Sequence, residues 1–307
     1  MPSEKKHHKA GKKGLTPVKA YLFLYNAVSF VLWGRLLVLT VWFILTPRSA
    51  PAHWTVFGQS ARGDVPWAWV AALADHLSGA YDFHGLGEAT KWTQSLAVLE
   101  IFHAAFGLVR SPVGTVASQV FSRLWAVWGV VEMVPSTHAH PLFATMLLAW
   151  SVTETIRYPF YALALFDIEV YALNWLRYNT FLVLYPLGAS SEAFLALSTV
   201  PPLSSLPYIH YFFAALHAIC LSLPAPVLKQ ITHTKAGRHF LYSLARAKAA
   251  QKTHGITWSP IQFVRLVLFV IWWPALYVLY TYMLKQRRKF FAKNKQAKRV
   301  GQANKAN

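Results

Sequence analysis

The stretch AYLFLYNAVSFVLWGRLLVLTVWFILT, residues 20–46, carries a single charged side chain, Arg35. A helix rises about 1.5 Å per residue, so roughly 20 mostly apolar residues cross the hydrocarbon of a bilayer, and this run is long enough. It is too long and too lysine-flanked for a cleavable signal peptide and is expected to remain as an anchor. Six further apolar runs follow, near 93–109, 114–134, 141–166, 175–198, 208–227 and 261–284, broken by Pro, Gly, His or basic residues. They are continuous rather than alternating, which favours helices over a barrel.

Composition agrees. The chain of 307 residues is 55% hydrophobic and only 13% charged, about half the charged share of a soluble domain. Half of the 30 Lys and Arg lie in two flanks: Lys5, Lys6, Lys9, Lys12, Lys13 and Lys19 at one end, and Lys285, Arg287, Arg288, Lys289, Lys293, Lys295, Lys298, Arg299 and Lys305 at the other. The net charge of +19 is thus concentrated in the tails. That distribution suits headgroup-facing flanks and argues against a nucleic-acid partner. The chain divides into a basic cytosolic tail at 1–19, a membrane domain at 20–284 with a long loop at 47–91, and a second basic tail at 285–307, both tails expected to be disordered.

The fold class expected is therefore all-α: a polytopic transmembrane helix bundle. Two basic ends on one side require an even number of crossings. Six are favoured over seven, with 208–227 the segment left out, since it holds His210, His217, Pro224 and Pro226. Six crossings leave the basic stretch Lys229 to Lys252 on the far side, against the same rule. In the loop, the apolar piece Trp67 to Leu77 is too short to span and reads as an interfacial helix.

Charges inside apolar runs cost a few kcal/mol each and need partners or a polar cavity. Glu100, Glu132, Glu154, Glu192, Arg123 and Arg157 are such groups. Glu154, Arg157, Tyr158 and Tyr161 are spaced i, i+3, i+4 and i+7, one stripe of a helix. The stripe reads either as a self-neutralising ion pair or as the wall of a substrate cavity. Tyr185 and Glu192 are seven residues apart, within about 20° of one face and about 10 Å along the axis, with Pro186 and Gly188 between them. An acid and a phenol on one bent face suit proton transfer; the plainer readings are an interfacial tyrosine and a helix-end carboxylate.

Other chemistries find no support. There is no Gly-rich phosphate loop and no multi-histidine box; His7-His8 lies in a basic tail, and His138 with His140 lies in a Pro-flanked loop without carboxylate or cysteine neighbours, so no metal site is assigned. Cys220, the one cysteine, rules out a disulfide scaffold. It precedes Leu-Ser-Leu-Pro-Ala-Pro rather than a phosphate-cradling loop, and reads as a small buried hydrophobe.

Taken in order, Tyr25-Asn26, Gln94 to His103, Gly107 to Pro112, Gln119 to Arg123, Trp150 to Tyr161, Arg177-Tyr178, Leu184 to Gly188 through Glu192, and Met283 to Lys289 resemble the very-long-chain (3R)-3-hydroxyacyl-CoA dehydratase family, the protein-tyrosine-phosphatase-like dehydratases of fatty-acid elongation. The long loop 47–91, the insertion at 208–227 and the absence of a terminal dilysine depart from the family pattern. The resemblance implies a multi-pass lyase of the endoplasmic reticulum membrane. Its reaction would convert a (3R)-3-hydroxyacyl-CoA to the trans-2-enoyl-CoA without a cofactor, beside the condensing enzyme and reductases of the elongation cycle. It implies Tyr185 and Glu192 as the catalytic pair. Glu100, Gln119, Arg123, Arg177 and Gly188 match the family's polar core, and Glu154 and Arg157 are added as supporting or substrate-binding groups from the stripe above. Which of the pair is acid and which is base stays open. The alternative is a noncatalytic membrane scaffold or lipid-binding protein with the same fold.

Overall fold

The computed structural model describes residues 16–47, 55–56, 59–60, 68–202, 225–235, 237–242 and 258–306. The segment 208–227 lies outside the described residues apart from its end, where a short helix, Ala225–His233, begins.

Helix α1, Pro17–Leu45, starts where its composition says it should. Thr16 accepts a hydrogen bond from the Lys19 amide at 3.3 Å, and Pro17 occupies the first turn, where no amide hydrogen is needed. Its buried positions, Leu22, Asn26, Ser29, Trp33, Leu36, Thr40 and Phe43, alternate in steps of four and three, forming one seam towards the bundle. Leu24, Val31, Val38 and Leu45 face outward. In water these outward residues would be a fault; in hydrocarbon they are the solvent-matched face.

After α1 come a two-residue hairpin, Thr55–Val56 with Gln59–Ser60, and helix α2, Ala68–Leu77, which is the short helix expected in the loop. The loop is less extended than the sequence suggested. A 3-10 turn, Phe83–Gly85, leads into α3, Leu86–Ser95, and then α4, Val98–Ala105. The run 93–109, read as one span, is thus the end of a longer broken path. Leu96 and Ala97 keep helical dihedrals between its two halves. It stops at Gly107, whose φ of +68° is the left-handed cap conformation, with the Leu108 amide bonding the His103 carbonyl at 2.8 Å. A side chain in that conformation costs about 1–2 kcal/mol. Gly107→Ala is therefore expected to lower stability by about 1 kcal/mol, read as an earlier thermal unfolding transition in detergent.

The run 114–134 is also divided: α5, Val113–Leu124, gives way to a π-helical segment, Trp125–Val131. Helix α6, Pro141–Ala164, is capped by His140 and carries Pro141 in its first turn. It ends on Asp167, held at φ +56°, with the Ile168 amide on the Leu163 carbonyl at 3.1 Å. Helix α7, Tyr171–Ser198, runs unbroken through Pro186. With Ala225–His233 as α8, the last helix is α9, Pro260–Ala306. Its backbone continues through 285–306, which the charge pattern had marked as a disordered tail. Lys, Arg, Gln and Ala are good helix formers, and no proline follows Pro274 to stop the propagation.

Contacts fix the directions. Tyr21 meets His103 and Phe23 meets Phe166 at the start of α1, while Trp42 meets His84 at its end. Trp128 of the π segment bonds Ser95, and Arg123 of α5 reaches Glu154 of α6. Thr145 of α6 bonds Ser191 of α7, whereas Arg177 bonds Tyr161. Tyr178 stacks on Phe290, and Phe194 packs on Phe269. Among the described residues the chain therefore runs the length of the bundle as α1, α3–α4, α5 with the π segment, α6, α7 and α9, each antiparallel to the last. The start of α1 and the basic end of α9 share one end of the bundle. Among the described residues, three helices are long and apolar enough to cross a membrane by themselves: Pro17–Leu45, Tyr171–Ser198 and Pro260–Ala292. The protein is a membrane protein built as a helix bundle.

At the opposite end, Lys91 bonds Glu88 at 2.6 Å and Glu132 at 3.0 Å, and the Tyr81 hydroxyl donates to Glu132 at 2.7 Å. Burial, followed by that bond and the neighbouring carboxylates, pushes the Tyr81 phenol well above its ordinary range.

Candidate active site

The intramembrane charges do not stand alone. Glu154, whose side chain is 2% exposed, takes Arg157 Nε at 2.7 Å through one oxygen and Arg123 through the other. Arg157 also reaches Glu100 Oε1 at 2.6 Å. The Tyr158 hydroxyl donates to that same oxygen at 2.7 Å and Tyr25 donates at 3.2 Å. Two arginines and two glutamates from α4, α5 and α6 thus form a neutral chain inside the bundle. Such groups are tolerated in an apolar interior only when paired. Of the two earlier readings of the Glu154 stripe, the ion pair is the one present, and it forms a polar wall within the bundle.

Glu192 on α7 faces this wall. The Trp150 indole donates to its Oε1 at 2.6 Å and the Trp272 indole donates to Oε2 at 3.1 Å. Indole nitrogens only donate, so both carboxylate oxygens act as acceptors. The Arg123 guanidinium lies 4.5 Å from the Trp150 ring centroid and is within electrostatic reach of Glu192. Glu192, Trp125 and Trp272 line a crevice of about 10 Å³, room for about one water molecule.

Tyr185, two turns earlier on α7, packs edge-on against Phe181. It lies within electrostatic reach of Arg177, Arg157, Tyr161 and Glu154. The phenol and the carboxylate are therefore connected by a line of charge, from Arg157 through Glu154 to Arg123. Tyr185 does not line the crevice beside Glu192.

The remaining sequence candidates divide. Arg177 lies over the rings of Phe160, at 4.3 Å, and Tyr161, at 5.1 Å, near the α1-start end of the bundle. Gly188 is buried where a Cβ would come within 3.4 Å of Ala149 and 3.8 Å of the Trp150 ring, so it sets the approach of α7 to the indole that holds Glu192. Gln119 is exposed on α5 and is not drawn into the charged chain.

The two indoles were not singled out by sequence reasoning. Trp150 was within reach, being one helical turn before Glu154. Trp272 was not, because nothing in α7 announces a partner eighty residues later. Trp150→Phe keeps an aromatic ring, though a smaller one, and removes the donor; a hydrogen bond to a charged group contributes about 1.5–3 kcal/mol. The expected result is a fall in turnover of about tenfold or more with folding retained, checked by kcat and thermal unfolding together.

Comparison with known proteins bears on this constellation. Residues 94–293 match the family model described as "Protein tyrosine phosphatase-like protein, PTPLA". The chain belongs to the PTPLA family. That match spans every candidate site residue, from Glu100 to Trp272. Among PTPLA-like relatives, the chain is 33% identical over 273 residues to "Probable very-long-chain (3R)-3-hydroxyacyl-CoA dehydratase" of Schizosaccharomyces pombe, covering 88% of this chain and 91% of the relative. It is 34% identical over 250 residues to the very-long-chain (3R)-3-hydroxyacyl-CoA dehydratase PASTICCINO 2B of Oryza sativa subsp. japonica, covering 80% and 93%. It is 36% identical over 176 residues to the corresponding hpo-8 protein of Caenorhabditis elegans, covering 57% and 67%. No solved structure matches it. The phosphatase in the PTPLA description finds no support in the sequence around Cys220, a residue that lies outside the described ones.

Proposed function

We propose that this protein is a hydro-lyase that removes water from a very-long-chain (3R)-3-hydroxyacyl-CoA to give the trans-2-enoyl-CoA. The observation that carries this reading is the geometry around α7. A carboxylate held by two indole donors and a phenol on the same helical face are joined by a buried charged chain, in a protein whose relatives carry that activity in their names.

Dehydration must take a weakly acidic proton from C2 and expel hydroxide from C3. Glu192, whose two oxygens both accept hydrogen bonds, takes the C2 proton as general base. The electron pair forms the C2–C3 double bond as the C3–O bond breaks, and Tyr185 donates its proton to the departing oxygen, which leaves as water. Transfer of a proton from Glu192 back to the phenolate restores both groups. Arg177 and Arg157, near Tyr185, balance the transient phenolate. No redox step is required. The acyl tail lies among the apolar helices and the CoA end stays in water. The setting is the endoplasmic reticulum membrane, beside the condensing enzyme and reductases of fatty-acid elongation.

The test is direct. Detergent-solubilised full-length protein, given a long-chain 3-hydroxyacyl-CoA, should form the enoyl-CoA, followed by mass spectrometry. Absence of product with folded protein would overturn the assignment and favour a noncatalytic scaffold.

A further inference from the structure

At the end of the bundle where α6 stops and α7 begins there is a cavity of about 430 Å³, within the range of small-molecule and cofactor sites. Its walls include Asp167, Glu169 and Asn174 from the α6–α7 turn and the start of α7, Tyr178 further along α7, and Lys289 and Phe290 from α9. The positive φ of Asp167 closes the turn that shapes one side. On the other side the Phe290 ring stacks on Tyr178 at 5.0 Å, and Arg287 is pinned by Asn179 at 3.0 Å.

We infer that this cavity binds the phosphorylated adenosine end of the CoA substrate. The inference rests on the dehydratase reading above and extends it to the water-facing end of the molecule. Three observations converge. First, the cavity offers aromatic surface for a planar base. Second, one wall carries Lys289, with Lys285 one turn earlier and Arg288 next to it in sequence on α9, opposite Asp167 and Glu169. That polarity places phosphates against α9, with Asp167 and Asn174 across the gap for the ribose hydroxyls and the adenine amino group. Third, Tyr171, Tyr178, Tyr185 and Glu192 are spaced by sevens on one helix. Seven residues return to nearly the same face, so Tyr178 stands about 10 Å above Tyr185 along that face. A ligand seated at Tyr178 can lower a flexible pantetheine arm along this rail and present its thioester to the phenol and carboxylate below. Arg177, one residue before Tyr178, lies over Phe160 of the cavity wall.

A lipid phosphate headgroup offers anionic chemistry of the same kind, and the experiment separates the two. Binding of radiolabelled free CoA to the full-length protein in detergent is measured for the native chain, Lys289→Glu and Phe290→Ala. Competition is measured with adenosine 3′,5′-bisphosphate and with short-chain phosphatidic acid. The expected result is saturable CoA binding, displaced by the bisphosphate at concentrations where phosphatidic acid has little effect. Each substitution should raise Kd about tenfold. No saturable binding, Kd values changed less than twofold by both substitutions, or equal displacement by phosphatidic acid would overturn the inference. Because this readout needs no turnover, a protein that binds CoA at this cavity but forms no enoyl product would refute the dehydratase reading and leave the cavity assignment standing.

Discussion

Tyr185→Phe in the purified full-length protein is expected to lower the dehydration rate by roughly 10²- to 10⁴-fold, the range attributable to a positioned proton donor. The substitution removes one oxygen from a half-buried ring packed on Phe181 and leaves that contact intact. Thermal unfolding should therefore move little. Most of the loss should appear in kcat, because the phenol acts on the departing hydroxyl in the transition state rather than on the acyl chain or CoA. A Phe variant retaining more than about a tenth of native turnover would remove Tyr185 from the mechanism.

The second large effect is on stability. Glu154→Ala strips two arginines of a common partner in a site where the carboxylate is almost wholly enclosed. Breaking a buried pair by removing one member costs about 3–5 kcal/mol, since the charge left behind is neither solvated nor neutralised. Arg157 keeps Glu100, but Arg123 loses its ion-pair partner and is left over the Trp150 ring, with Glu192 only at longer range. A strongly lowered unfolding temperature, or aggregation on extraction, is the expected result. Glu88→Ala is the counterpart: that side chain is 59% exposed in its pair with Lys91, and its loss should leave the unfolding temperature nearly unchanged. Similar shifts for the two variants would show that the charged chain does not hold the bundle together.

Much of this was legible in the chain itself. Apolar runs of spanning length gave α1, α6, α7 and α9, because a helix in hydrocarbon leaves a plain compositional trace. The i, i+3 spacing of Glu154 and Arg157 announced a pair that the geometry contains. The seven-residue spacing of Tyr185 and Glu192 put them on one face of the helix. What spacing could not supply was the identity of partners on other helices. Glu100 joins Arg157 across 57 positions and Trp272 joins Glu192 across 80. Those meetings depend on how helices pack, which is a property of several segments at once. Two middle segments also broke where continuous runs had been read. The run 93–109 divides at Leu96 and Ala97, ahead of the Gly107 cap, and the π segment at Trp125–Val131 leaves the Gly129 carbonyl accepting from Arg265 of α9 at 3.0 Å.

The neutral chain of Glu100, Arg123, Glu154 and Arg157 also constrains how the protein is made. During synthesis α4 emerges with an unmatched carboxylate and α5 with an unmatched guanidinium, and their partners on α6 follow only later. None of these segments reaches its lowest energy in lipid by itself. The early passes should therefore wait at the insertion machinery, or in the care of a chaperone, until α6 arrives. Nascent chains truncated before Glu154 should be degraded rather than left as stable fragments.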